Sequence, residues 1–592
     1  MSARFPHPRS TVDGSLGEGQ RSPSAVDRVA EAHFNRLLRV DPAWAIELGT
    51  GQHGWGYPDY GPEAQEALWE ASLRTRREAR IVEAVDDVDR VTLHALREHV
   101  DITRELHDLG LAGDRINGIS SPVQKIRETF DNLPKNTPED WDGILHQLHE
   151  VPGAVRRLLD GVAHRQQVGP VSAAAQLLHA ADQAESYATS DGAFLALTHR
   201  PAVVRLPARS QDRLREAVAE ARVAYTGLAE GLRGLAETAP TEMAVGREEY
   251  GVRLRQFTGA RLDLTRVYEW GIEQLRAVVS EMRQTARQIV PDHHGRGLIR
   301  AAMKALDADV HRQLHGPYEL TAWMQGVSQD AIDALAGSHF EITEPMKRLE
   351  CRIAPTNDGG IYYTPPSPDF TRPGRMWWSV TPGTSVFRTW GERTTVYHEG
   401  VPGHHLQMAT AVAAGDTLNA WRRVGLWVSG HGEGWALYAE RLMAELGYFQ
   451  DPGDRMGMLN AMRMRAARVV FDVGFHCGLP VPRDLDGLLG SAAGATQWSP
   501  ATGWAFLKEN IVMAEAALRF EWLRYMGWPG QAPSYQIGMH RWQEARQTWG
   551  KARGRQFNLP EFHRESLSLG SLGLDSLDYA LNLKTQALHH AP

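Results

Sequence analysis

The run Tyr397-His398-Glu399-Gly400-Val401-Pro402-Gly403-His404-His405 places imidazoles and a carboxylate side by side, the donor types that bind a zinc ion and move a proton beside it. In the zinc-protease helix His-Glu-x-x-His, two imidazoles four residues apart share one face and the Glu lies beside the activated water. Here the position four residues after His398 is Pro402. On a regular helix of about 100° per residue, His398 and His404 would stand about 120° apart, too far to chelate one ion. Pro402-Gly403 is suited to breaking that regularity, because Pro lacks an amide donor and Gly tolerates unusual backbone angles, so a bulge would return His404 toward His398. His405 competes for the same role; its seven-residue offset restores the face but leaves it about 10 Å along the axis, which favours His404.

A third ligand is required, and Glu433 in Gly432-Glu433-Gly434-Trp435-Ala436-Leu437-Tyr438-Ala439-Glu440 offers a carboxylate at the start of a helical segment. Small Ala436, three residues on, would let that helix approach the first motif. Glu440 lies on the same side and is the alternative ligand, or else the group that orients a ligand imidazole. His431 reads as a neighbour. Two His, one carboxylate and a water would complete a tetrahedral site for one Zn2+ per chain.

Further candidates lie farther along the chain. The segment Arg468-Val469-Val470-Phe471-Asp472-Val473-Gly474-Phe475-His476 sets Arg468, Asp472 and His476 at four-residue intervals on one helical face, an arrangement able to hold a substrate carboxylate. Tyr535 carries a phenol able to donate to an oxyanion. The pairs His293-His294 and Trp377-Trp378 and the Met456 to Met464 stretch read as loop, packing and core.

These stretches resemble a family, the domain-of-unknown-function 885 proteins, which look like distant relatives of the gluzincin metallopeptidases. The resemblance is carried by Asn357 to Gly374 with its Tyr362-Tyr363 and Arg372-Pro373-Gly374, by His398 to Gln407, Glu433 to Glu440, Arg468 to His476 and Pro529 to Gly538, and more weakly toward residue 25. It implies a largely helical fold with a substrate channel. Many members look exported, a pattern that the opening of this sequence does not share.

The elements that must position these residues are mainly helical. From about residue 25 to 345, apolar residues recur at helical spacing, as in the segment opened by Thr137, Pro138 and Asp140 with Trp141, Ile144, Leu145, Leu148 and Val151 as its stripe. A second stripe runs through Leu214, Ala217, Val218, Ala221, Tyr225, Leu228 and Leu232, and a third helix is expected from about Leu262 to Val290. Between Arg348 and Val380, short pieces such as Ile361-Tyr362-Tyr363 and Met376-Trp377-Trp378 separated by Pro and Gly predict a small sheet before the metal-binding helix. The expected architecture is mainly α, a large helical metallopeptidase-like body with a deep substrate channel. Its expected divisions are a disordered tail over 1–24, a helical region over 25–345 and a metal-binding region over 346–592, integrated into one two-lobed body.

Composition removes several function classes. At 592 residues with a formal net charge of −8, the chain has no broad cationic footprint for a nucleic acid. Two cysteines, Cys351 and Cys477, build neither a disulfide framework nor a cysteine-rich zinc site. No window approaches the roughly 20 apolar residues needed to span a bilayer, and Met1 to Ser24 lack the apolar run of a secretory signal, so a cytoplasmic location is expected.

The sequence thus leads to a zinc-dependent hydrolase of peptide or peptide-like amide bonds. His398, His404 and Glu433 would hold the metal, Glu399 would act as general base, and Tyr535 would stabilise the oxyanion. Tyr362 and Tyr363 would pair with an extended substrate backbone. The alternatives are an amidase acting on one small metabolite and a metal-free binding protein that retains the fold.

Overall fold

The computed structural model describes residues 21–49, 55–112, 116–295, 297–354, 360–380 and 383–589. It is mainly helical, 69% helix and 4% strand, in keeping with the helical periodicity of the sequence. The expected tail lies outside the described residues as far as residue 20. Arg21, within its last four positions, forms ion pairs with Asp27, Asp86 and Asp89.

The helices follow the signals that announced them. In Pro138–Val168, Thr137 Oγ1 accepts the amide of Asp140 at 3.2 Å, and the Asp140 carboxylate accepts the amide of Thr137 at 2.9 Å. This reciprocal cap satisfies amides that the first turn leaves without partners. The stripe Trp141, Ile144, Leu145, Leu148 and Val151 is buried throughout, and so is the Leu214 to Leu232 stripe of Ala208–Ala236. These two helices share one core, which runs from Tyr57 to Ala236. The third expected helix spans Leu264–Ile289, capped by Asp263.

Two further cores bind the N-terminal and C-terminal parts together. One gathers residues from Val26 to Leu581 and the other from Tyr250 to Leu574, so apolar side chains from both sides of residue 345 pack in common.

The sheet content is small. Strands β2 (Leu349–Ile353), β3 (Ile361–Thr364) and β4 (Gly374–Trp378) make a three-stranded sheet in the order β2-β4-β3. In it β2 is parallel and β3 antiparallel to the central β4. A second, two-stranded sheet pairs β1 (Gln313–His315) with β5 (Val386–Arg388). At three residues each, β1 and β5 are too short to show a period, and the sequence reading missed them. The chain leaves β5 directly into the helix Thr389–Glu399, which carries His398 and Glu399.

Candidate metal centre

The first motif is divided between two helices. Thr389–Glu399 stops immediately after His398 and Glu399, Gly400 to Gly403 form a tight loop, and a new helix, His404–Ala413, begins at the second imidazole. The sequence reading expected a bulge within one helix; the structure has a full break, which re-aims the second helix independently of the first. Gly403 is required there, because a Cβ on it would lie 1.9 Å from the carbonyl oxygen of His398. The loop is fixed from outside by Trp435, whose buried indole N–H donates to the carbonyl of Pro402 at 2.9 Å.

Glu433 reaches the same point from the helix Ser429–Glu445. One ligand atom each from His398, His404 and Glu433 lie within 4.8 Å of one another. Glu433 Oε2 is 3.2 Å from His398 Nε2 and 3.3 Å from His404 Nε2, and the two imidazole rings stand nearly perpendicular. This is a two-histidine, one-carboxylate donor set in a buried position, the composition of open catalytic zinc sites.

The two open questions of the sequence have geometric answers. Glu440 accepts the Nδ1–H of His398 at 2.8 Å, so it holds the ring from behind and presents Nε2 to the cluster. Glu440 also accepts from Thr394 and pairs with Arg465 at 3.4 Å. His405 faces the other way: Nε2 meets the carbonyl of Met346 at 2.7 Å, and Nδ1 meets the Tyr363 hydroxyl at 2.8 Å. Burial pushes His405 down to about 4, so it is a neutral ring with both nitrogens engaged. His431 is a neighbour in the cavity wall, its Nδ1 3.3 Å from the Gln407 amide, and burial pushes it down to about 3.

Electrostatically the carboxylate and the imidazoles of the cluster stabilise one another's charge. Burial opposes ionisation of Glu433, but the adjacent His404 and His398 override it and hold the carboxyl well below the usual range. Burial likewise opposes charge on His398, and the bonds to Glu433 and Glu440 overcome it and push the imidazole up to about 9. Glu399 differs from both: burial raises its pKa, and its Oε2 is buried with no hydrogen-bond partner among the described residues. An unpartnered carboxylate oxygen at a cavity wall is what a general base needs before water and substrate arrive.

The cluster opens on a cavity of about 1190 Å³, whose walls include His398, Glu399, His404, Glu433, Tyr362 and Tyr535. Residues of the first helices also line it, Trp44 and Glu47 among them, so the cavity lies between the N-terminal and C-terminal parts of the chain. Tyr535 belongs to the helix Gln531–Arg553, and its ring lies 6.5 Å from that of His398 and nearly parallel to it. The sequence reading assigned close helix approach to Ala436. The structure also brings Ser429–Glu445 and Gln531–Arg553 together through glycines: a Cβ on Gly434 would lie 2.4 Å from Gly538, and one on Gly538 only 1.9 Å from the carbonyl oxygen of Gly430.

The remaining sequence candidates divide. Tyr362 lies on β3, an edge strand that lines the cavity, and stacks on Trp377. Tyr363 lines it too, but its hydroxyl is engaged by His405. Arg468 is in the cavity wall, with Nε donating to the Tyr525 hydroxyl at 2.7 Å and Nη2 pairing with Glu521 at 2.8 Å. Asp472 and His476 do not join it there, which corrects the expectation of a common substrate-binding face. Asp472 is fully buried and accepts from Tyr250 and from the amide of Gly530, each at 3.0 Å, and His476 Nε2 bonds the carbonyl of Tyr525 at 2.9 Å. Both brace the turn that leads into Tyr535. Sequence reasoning missed Arg465, Glu521 and Arg524, all in the cavity wall; no motif marks them, and only the fold brings them near the cluster.

A family model described as a bacterial protein of unknown function (DUF885) matches residues 42–581. The chain belongs to that family. Among solved structures, a putative lipoprotein from Colwellia psychrerythraea superimposes with a TM-score of 0.81 at 21% identity, covering 96% of this chain and 100% of that one. A putative lipoprotein of unknown function from Shewanella oneidensis gives 0.65 at 15% identity, covering 94% and 99%. At those identities the likeness is one of fold. No curated protein matches the sequence. Among the described residues of this DUF885 chain, no helix is long and apolar enough to cross a membrane.

Proposed function

We propose that this chain is a zinc-dependent hydrolase of peptide or peptide-like amide bonds. The observation that carries the reading is the convergence of His398, His404 and Glu433 on one point beside the unpartnered Oε2 of Glu399, at the wall of a large cavity. The donor set fits zinc: two imidazoles and one carboxylate leave a position open, and Glu440 fixes the Nδ1–H tautomer of His398 that frees Nε2 for a metal. When bound there, zinc supplies Lewis acidity toward water and toward the amide carbonyl.

The chain's own groups do the rest. Glu399 takes a proton from the attacking water and returns it to the leaving amine, and its raised pKa suits it to both transfers. The Tyr535 hydroxyl accepts from Arg524 Nη2 at 3.2 Å, which leaves its proton available to the oxyanion as the carbonyl becomes tetrahedral. Edge strand β3 offers backbone groups to an extended substrate, with Tyr362 beside it.

Substrate profiling tests the reading. Zinc-loaded protein should cleave members of a peptide library with a positional preference, and Glu399→Gln should retain zinc while losing roughly 10²- to 10⁴-fold in rate. Full activity in that variant would refute the scheme. Cleavage of a single small amide with no peptide turned over would instead assign the same chemistry to a pathway amidase. The cytoplasm is the compartment we propose; the two similar structures are of putative lipoproteins, and recovery of this chain in the envelope fraction of cells would overturn that assignment.

A further inference from the structure

Next to Tyr535, the cavity wall carries two buried guanidinium groups. Arg468 comes from the helix Pro452–His476 and Arg524 from Glu515–Gly527. Arg468 lies 5.2 Å and Arg524 5.9 Å from the Tyr535 ring centre. They share one carboxylate, Glu521, at 2.8 and 3.1 Å. The nearby carboxyl of Asp472 does not supply a second negative charge at neutral pH, since burial pushes it up to about 8. The wall therefore retains one positive charge with little solvent around it, since the side chains of Arg468 and Arg524 are only 5% and 9% exposed.

The donors are only partly used. Arg468 gives Nε to Tyr525 and Nη2 to Glu521, and its Nη1 has no partner among the described residues. Arg524 gives Nη1 to Glu521 and Nη2 to Gln531 and Tyr535, and its buried Nε has no partner among the described residues. A buried, uncompensated guanidinium is costly unless an anion meets it, and its planar fork matches a carboxylate.

We propose that this two-arginine wall holds a free carboxylate of the substrate, so that the site acts on short amides ending in an acid. The inference rests on the hydrolase reading above, because the scissile bond must lie at the His398 cluster. The Tyr535 ring lies 6.5 Å from the His398 ring and 5.2 Å from the Arg468 guanidinium, so the guanidinium is within about 12 Å of the cluster. An extended chain advances about 3.4 Å per residue, so no more than a few residues separate the cleaved bond from the carboxylate. Arg468 and Arg524 are then specificity residues: they bind the end of the substrate and leave the chemistry to Glu399.

The test uses one library of N-acetylated tripeptides in two forms, free acid and carboxamide, with zinc-loaded protein. Wild type should prefer the acid by about 100-fold in kcat/KM, the order expected when a site built for a charged group meets a neutral one. The informative variant is Arg468→Met, because Glu521 keeps Arg524 as its partner at 3.1 Å and the wall loses its one uncompensated charge. In it the preference should fall below about 10-fold, while Arg468→Lys, which keeps the charge and loses the fork, should fall between. Equal cleavage of both forms by wild type, or an unchanged preference in Arg468→Met, would overturn the proposal. Retention of the same pairs by Glu399→Gln protein in equilibrium dialysis separates the two readings. If neither form is cleaved but the acid alone is retained, the hydrolase reading fails and the carboxylate site stands; equal retention, or retention of neither, removes the carboxylate site.

Discussion

Glu440 and His398 face each other across two helices, carboxylate to Nδ1–H at 2.8 Å, and this single bond decides which imidazole nitrogen the cluster presents. Glu440 is fully buried and also bonds Thr394, so the ring is held with little freedom. Glu440→Gln keeps an acceptor but loses the charge. It should weaken zinc affinity about 10- to 100-fold, as measured by chelator competition. Unchanged affinity would remove Glu440 from the site.

His404 and His405 are adjacent in sequence and opposite in role. His404→Ala should abolish stoichiometric zinc binding. His405→Ala should keep it, and should lower stability by about 1–3 kcal/mol in denaturant unfolding, because the Tyr363 hydroxyl and the Met346 carbonyl lose their partner in the interior. The reverse pattern would mean that the helix break turns the other imidazole toward Glu433.

Gly538 allows the helices carrying Glu433 and Tyr535 to touch. A Cβ there meets the Gly430 carbonyl at 1.9 Å, and that backbone has no flexible end to yield. Gly538→Ala should destabilise by about 1–3 kcal/mol or more. Gly227→Ala is the control, on an exposed helix face with nothing within 4 Å of the new methyl, and it should stabilise by about 0.5–1 kcal/mol. Equal effects would show that the crossing is looser than the contact implies.

Asp472 gives the fold a pH dependence of defined sign. Burial raises its pKa from 3.8 to about 8, so between those values the folded chain holds a proton that the unfolded chain has released. Its contribution to stability is therefore lost as pH rises, by about 1.4 kcal/mol per unit within that window. Asp472→Asn keeps an oxygen for Tyr250 and the Gly530 amide but does not titrate. Unfolding of both proteins from about pH 5 to about pH 8 should show the variant gaining on the wild type as pH rises. Parallel curves would mean that Asp472 ionises normally.

Much of this architecture was legible because it is written in local chemistry. The Thr137 cap and the Leu214 to Leu232 stripe are statements about a single helix, and the structure realises both. The triad His398, His404 and Glu433 was legible from donor type and from the helix-breaking Pro402-Gly403, although the break proved complete and not a bulge. What could not be read was which neighbour each face meets. A four-residue interval puts Arg468, Asp472 and His476 on one side of a helix, but the packing of Tyr250 and of the Gly530 turn against its end withdraws the last two from the cavity. Gly434 meeting Gly538, and Arg524 meeting Tyr535, are tertiary facts with no local signature.

The central claim is that His398, His404 and Glu433 hold a catalytic zinc ion, and metal content tests it most directly. Elemental analysis of purified protein should find about one zinc per chain, lost in the His398→Ala and Glu433→Ala double variant. No zinc in the wild type after zinc is supplied, or one zinc retained by a folded double variant, would contradict the account.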